Sequence, residues 1–119
     1  MTQGFLTTHI LDTSSGTPAA GVRISLFKKQ DGQLIHKADA VTNADGRTDT
    51  PILPQSEFTS GEYQLVFYAG EYFDKMGLNL PDPKFLNEVV LSFGMADEMS
   101  HYHVPLLLSP FGYSTYRGS

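Results

Sequence analysis

The sequence has no cysteine and no tryptophan. Without thiols there is no disulfide framework, no thiolate zinc site and no cysteine nucleophile, so stability must come from buried apolar surface. Charge is also sparse, with charged residues at 18% of the chain against roughly a quarter in an average globular protein. The eight basic and thirteen acidic residues leave a net charge of −5 and no basic stripe to follow a phosphate backbone, which argues against a nucleic-acid partner. No apolar run approaches the ~20 residues of a membrane span. The opening "MTQGFLTTHILD" lacks the basic and apolar regions of a secretion signal, and the final "RGS" is not a peroxisomal "SKL" type of address. The expectation is a cytoplasmic protein with no membrane association.

Several catalytic signatures are missing as well. There is no G-x-S-x-G elbow, no P-loop, no G-x-G-x-x-G, no C-x-x-C and no carboxylate pair in a catalytic context.

What is present is a fold-competent chain: 119 residues, 40% apolar and 12% aromatic, enough for one domain over 1–119 with its own core. Short runs rich in β-formers alternate with turn signals, the habit of an all-β sandwich or barrel. Strands are expected over 5–12, 22–29, 33–41, 62–69, 88–95 and 101–108, with a closing strand in "YSTYRGS" at 113–119. The segment "TSSGTPAAG" reads as a loop, and the Asp31-Gly32 pair as a hairpin turn, because glycine takes positive φ without strain. One short helix is expected over 71–77: Tyr72, Phe73 and Met76 share helical spacing, Glu71 stands four before Lys75, and Gly77 is placed to stop it.

Four places carry residues suited to chemistry. Strand alternation puts His9 on one side with Phe5, Thr7 and Leu11, opposite Leu6, Thr8 and Ile10. His101 and His103, two apart, project to one side of a strand, while Val104, Leu106 and Leu108 form the core face. Two imidazoles so spaced suit a metal, yet a third ligand is needed and only His9 or His36 is available. Arg47 follows the turn "NADG", where a guanidinium suits a planar, oxygen-rich anion. The tail gathers Tyr113, Tyr116, Arg117 and the hydroxyls of Ser114 and Ser119. For each of these an ordinary structural or solvated role remains open on spacing alone.

Taken together, "LTTHILDTSSGTPAAGV", "TNADGRT" and "FGMADEMSHYHVPLLLSPFGYSTYRGS" resemble the transthyretin-related 5-hydroxyisourate hydrolases from end to end. The terminal "YRGS" is the most specific item, since the hormone-carrying transthyretins that share the fold lack it. The resemblance implies a transthyretin-like sandwich of two four-stranded sheets with one short helix, assembled as a homotetramer, a dimer of dimers with active sites in a central channel. It implies hydrolytic ring opening of 5-hydroxyisourate to 2-oxo-4-hydroxy-4-carboxy-5-ureidoimidazoline in urate degradation, with no metal and no cofactor. By position it implies His9, Arg47, His103 and Ser119 as catalytic residues, and His9, Arg47, Tyr116, Arg117 and Gly118 as substrate-binding ones.

In this reading His9, assisted by Ser119, deprotonates water, His103 handles the substrate-side proton, Arg47 anchors the substrate, and Tyr116 shapes its slot. His36 and His101 are expected to tolerate substitution. Two rival readings stand beside it: a transthyretin-like carrier without turnover, and a zinc hydrolase built on His9, His101 and His103.

Overall fold

The alternation of β1, Phe5–Asp12, is realised in full in the computed structural model, which describes residues 3–119. Leu6, Thr8, Ile10 and Asp12 are buried, and Phe5, Thr7, His9 and Leu11 are half-buried. β2, Thr17–Pro18, pairs with its end. β3, Arg23–Gln30, turns through Asp31 and Gly32, both at positive φ, into the antiparallel β4, Gln33–Val41. A short 3₁₀ turn, Gln55–Glu57, precedes β5, Gly61–Phe67, and α1, Ala69–Lys75. β6, Val89–Met95, β7, His101–Ser109, and β8, Gly112–Thr115, complete the chain.

The strands form two four-stranded sheets, ordered β2-β1-β7-β8 and β4-β3-β5-β6. Between them lies one core: Leu6, Ile10, Leu106 and Leu108 meet Ile24, Leu26, Leu65 and Phe67, with Tyr72 and Phe73 of α1 closing one side. Burying this surface at about 25 cal/mol per Å² supplies what disulfides cannot. Among the described residues no helix is long and apolar enough to cross a membrane.

The two buried polar groups of β1 are fully engaged. Thr8 Oγ1 donates to the Val104 carbonyl at 2.7 Å. Asp12 accepts from Tyr72 Oη at 2.6 Å and from Ser14 through both its amide and hydroxyl. Burial raises the Asp12 pKa, but these donors outweigh it and the carboxyl stays below its usual range, while burial and Asp12 together push the Tyr72 phenol up. The helix is thereby pinned to the strand that carries His9.

Three boundaries differ from those read in the sequence. The expected loop after β1 contains β2, because Thr17 and Pro18 fall opposite Asp12 and Leu11. The helix begins at Ala69, inside the expected strand, since β5 leaves its ladder after Phe67; Gly77 follows at φ +73 as a stop. The closing strand ends at Thr115 rather than Ser119. By register, residue 116 stands opposite Pro105, whose ring leaves no N–H for a ladder bond. Thr115 Oγ1 donates instead to the Pro105 carbonyl at 2.8 Å. Pairing resumes two residues later, where the Gly118 amide donates to the His103 carbonyl at 2.7 Å.

Candidate active site

The outward face of the β1–β7 pair is polar because of register. The two strands run parallel with Phe5 opposite His101, Thr7 opposite His103 and His9 opposite Pro105. Side chains at these positions therefore stand in one row on the side away from the core. Thr7 sits at its centre: Oγ1 lies 2.6 Å from His101 Nε2 and 2.7 Å from His103 Nδ1. The His101 ring stacks on Phe5 at 4.1 Å with 11° between planes.

Arg47 reaches this face through its turn. Asn43 Oδ1 accepts from the amides of Asp45 and Arg47, and the Gly46 amide donates to the Asn43 carbonyl. Gly46 is required twice, by its φ of +74 and because a Cβ there would stand 2.5 Å from the Ile10 carbonyl oxygen. The turn thus lies against β1, with Arg47 bridged to His9 and the Ile10 amide donating to the Gly46 carbonyl. A rigid hairpin aims the guanidinium beside the histidine row.

The chain end approaches from the opposite side. A Cβ on Gly118 would lie 2.7 Å from His103 Cδ2, so only glycine lets the backbone rest on the imidazole edge. Ser119 then enters a cleft of about 300 Å³ lined by Thr7, Thr8, Arg47, Thr48, His101 and His103. His9 is not in that lining; it stands next to it, bridged by its backbone to Arg47 and near enough for its charge to act on His103.

The electrostatics favour neutral imidazoles. Burial first, then Arg47, then His101 and His9, depress the His103 pKa. His9 is likewise lowered by burial and Arg47, against a smaller upward pull from Asp45. Near neutral pH both rings are available to accept a proton. His103 Nε2 has no hydrogen-bond partner among the described residues, since the ring's one protein bond is made at Nδ1.

Within the protomer, then, Arg47, His103 and Ser119 share one cleft, with His9 beside it and Gly118 against His103. Tyr116 and Arg117 are elsewhere: they line a larger cleft of about 450 Å³ between β6 and β8, and the Arg117 guanidinium stacks 4.1 Å from the Tyr102 ring centre. His36 is remote on β4, paired with Asp39 at 3.0 Å. Thr7 and Thr48 line the smaller cleft and were passed over by sequence reasoning, although Thr7 shares a strand face with His9; His101, singled out there as half of a metal-suited pair and expected to tolerate substitution, lines it too. Among the described residues no group of three or more His, Asp or Glu is arranged to hold a metal ion. The nearest nitrogens of His101 and His103 converge on the Thr7 hydroxyl.

The model of the HIUase/transthyretin family matches residues 6–118. A 5-hydroxyisourate hydrolase of Rhizobium meliloti is 56% identical over 117 residues, covering 98% of this chain and 97% of the relative. Among solved structures, 5-hydroxyisourate hydrolase of Klebsiella pneumoniae superposes with a TM-score of 0.79 at 37% identity, covering 97% of this chain and 99% of that one. (S)-allantoin synthase superposes with a TM-score of 0.92 at 44% identity over 99% of this chain; this chain spans 44% of that longer protein. With two four-stranded sheets, one short helix and a match over nearly its whole length, the chain belongs to the HIUase/transthyretin family.

Proposed function

We propose that this protein hydrolyses 5-hydroxyisourate, opening its ring to 2-oxo-4-hydroxy-4-carboxy-5-ureidoimidazoline in urate degradation. The observation that carries the proposal is the convergence of Arg47, His103 and Ser119 on one small cleft, bordered by His9, in a chain 56% identical to a named hydrolase of that substrate.

The reaction needs a base for water, positive charge at the carbonyl oxygen, and a proton for the leaving nitrogen. His9, neutral and assisted by the Ser119 hydroxyl, takes a proton from the attacking water. Arg47 binds the flat, oxygen-rich substrate and stabilises the oxyanion as the carbonyl carbon becomes tetrahedral. Collapse of that intermediate breaks the ring C–N bond, and His103 delivers a proton from Nε2 to the departing nitrogen. Tyr116, Arg117 and Gly118 remain assigned to substrate binding. For Gly118 the support is its contact with His103; for Tyr116 and Arg117 it is the family resemblance, because in one protomer they face the larger cleft.

A homotetramer follows from the same reading. Its support is the open histidine face and the exposure of Val90, Tyr113 and Tyr116 along the β6 and β8 edges, at 45, 46 and 61%, surface that a second copy would cover. Light scattering should give four chains per particle. The expected compartment is the cytoplasm, to be tested by cell fractionation.

The decisive experiment follows the ultraviolet absorbance of freshly generated 5-hydroxyisourate with the full chain and with a variant lacking residues 116–119. Fast decay with the first and slow decay with the second is the expected result. Failure of the folded full chain to speed the decay overturns the hydrolase reading and favours a carrier.

A further inference from the structure

We infer that Thr7 and His101 form a proton relay that keeps His103 neutral as it gives up its Nε2 proton, drawing the replacement from solvent, with Thr7 as the switch. The inference rests on the hydrolase reading for its purpose, but its geometry stands without substrate.

A threonine hydroxyl carries one hydrogen, and here it has an imidazole nitrogen within 2.7 Å on either side. It can donate to only one of them, so the other must donate to it. If Thr7 donates to His103 Nδ1, then His103 carries its proton on Nε2, and His101 must present Nε2–H to the Thr7 oxygen. If Thr7 turns to donate to His101 Nε2, both rings carry their protons on Nδ1. The tautomers of the two histidines are therefore locked to each other, both Nε2–H or both Nδ1–H, through a residue that never ionises.

This lock moves a proton without separating charge over distance. From the first state, His103 Nε2–H passes its proton to the leaving nitrogen. His103 Nδ1 takes the Thr7 hydrogen, the Thr7 oxygen takes the His101 Nε2 proton, and His101 Nδ1 takes a proton from water or buffer. One proton enters at His101, one leaves at His103, and both rings end neutral in the second state; the first state returns when His103 Nε2 takes a proton from water in the cleft, the chain runs back through Thr7, and His101 Nδ1 gives its proton to solvent. The surroundings suit the direction. His101 is the exposed member of the pair, held flat on Phe5, whereas His103 is half-buried between Thr7 and Gly118. The other ionisable groups facing His103 are Arg47 and His9, and neither touches Thr7 by hydrogen bond. Thr7 and His101 are thus positioning and relay residues rather than groups that contact the reacting carbonyl.

The test pairs a kinetic with a spectroscopic readout. Thr7→Val keeps the shape and removes the hydroxyl; kcat should fall about tenfold or more with KM changed less than about twofold, the signature of a lost proton-transfer route. Thr7→Ser should recover kcat to within about threefold of the parent. His101→Ala should lose a similar factor and regain it as imidazole is added to the buffer. Full activity in Thr7→Val, equal losses in the Ser and Val variants, or no response of His101→Ala to imidazole would each overturn the relay.

Ring ¹⁵N spectra of the substrate-free parent protein decide the lock independently of catalysis and of whether any variant folds. Matching tautomers at His101 and His103 are expected, and opposite tautomers refute it. If the parent protein does not accelerate decay of 5-hydroxyisourate while the spectra show the matched pair, the hydrolase reading has failed and the coupling has not.

Discussion

The two clefts that the chain's last four residues line differ in a way that size does not predict. The larger, about 450 Å³, is bounded by Val90, Leu91, Phe93, Tyr102, Val104 and Tyr113, and Arg117 is its only ionised side chain. The smaller, about 300 Å³, gathers Arg47, His101, His103 and four hydroxyls, those of Thr7, Thr8, Thr48 and Ser119. Apolar volume between two sheet edges is what a second copy of the chain would fill. Convergent titratable groups are what a reaction would use. The terminal tetrapeptide joins them: 116 and 117 line the first cleft, 118 crosses His103, and 119 enters the second.

The largest expected effect breaks the comparison at the smaller cleft. His103→Ala should lower kcat for 5-hydroxyisourate by on the order of 10²–10⁴, the range for loss of a general acid or base. Arg47→Ala and His9→Ala should also lose heavily. All three should melt near the parent temperature in calorimetry, because none belongs to the packed core. A variant of comparable reach in the larger cleft, Tyr113→Ala, should change assembly by light scattering before it changes chemistry. Equal catalytic losses in the two clefts would erase the distinction.

The next effect is geometric. Gly118→Ala places a methyl 2.7 Å from His103 Cδ2, too close for the ring to stay, while Gly94 has nothing within 4 Å of an added Cβ. Gly118→Ala should cost about tenfold in kcat by tilting His103 off its Thr7 bond, a 1 Å-scale misplacement of a catalytic group. Gly94→Ala should be silent in the same assay.

This pair also marks how far the sequence could be read. The period-two pattern placed β1, β5 and β7, the Asp31-Gly32 turn and the outward direction of His9, His101 and His103, because alternation and positive φ are local properties. It did not place the parallel β1–β7 pairing, which brings Thr7 within reach of both histidines from more than 90 positions away in the chain. Nor could it see that Pro105, one strand over, interrupts pairing at 116–117 and so divides the tail between two clefts. Arg47 was legible as a residue on a turn, but its aim at His9 depends on Gly46 lying against Ile10. Non-local pairing separated what spacing suggested from what the fold assembles, and for that reason His101, expected to be tolerant, lines the same cleft as Arg47 and His103.

A smaller effect is expected from pH. Burial and Arg47 hold His9 and His103 below the ordinary 6.5, so the neutral forms persist as pH falls through 6.5. Activity and the associated stability are then present above that value and lost only as pH drops through the lowered pKa values. The acid limb of kcat/KM should lie below pH 6.5. Removing the guanidinium in Arg47→Gln takes away one cause of the depression, and NMR titration should show both histidines moving upward. A downward movement would mean that Arg47 does not face them.

The smallest effect probes the larger cleft. The Arg117 guanidinium carbon lies over the Tyr102 ring, 4.1 Å from its centre, and the residue is exposed to solvent, a cation–π contact of the kind that contributes about 0.5–1 kcal/mol at such sites. Tyr102 in turn accepts from the Ala96 and Asp97 amides through its hydroxyl, which fixes the outer end of its ring. Arg117→Met keeps the stem over the ring and removes the charge, whereas Arg117→Ala removes both. If Arg117 acts only within its own protomer, the two variants should differ slightly in melting temperature and leave kcat near that of the parent. If a partner copy carries its guanidinium into the histidine cleft, as the substrate-binding assignment requires, both should raise KM together while leaving the melting order unchanged. The KM measurement therefore decides whether the two clefts stay separate in the assembled protein.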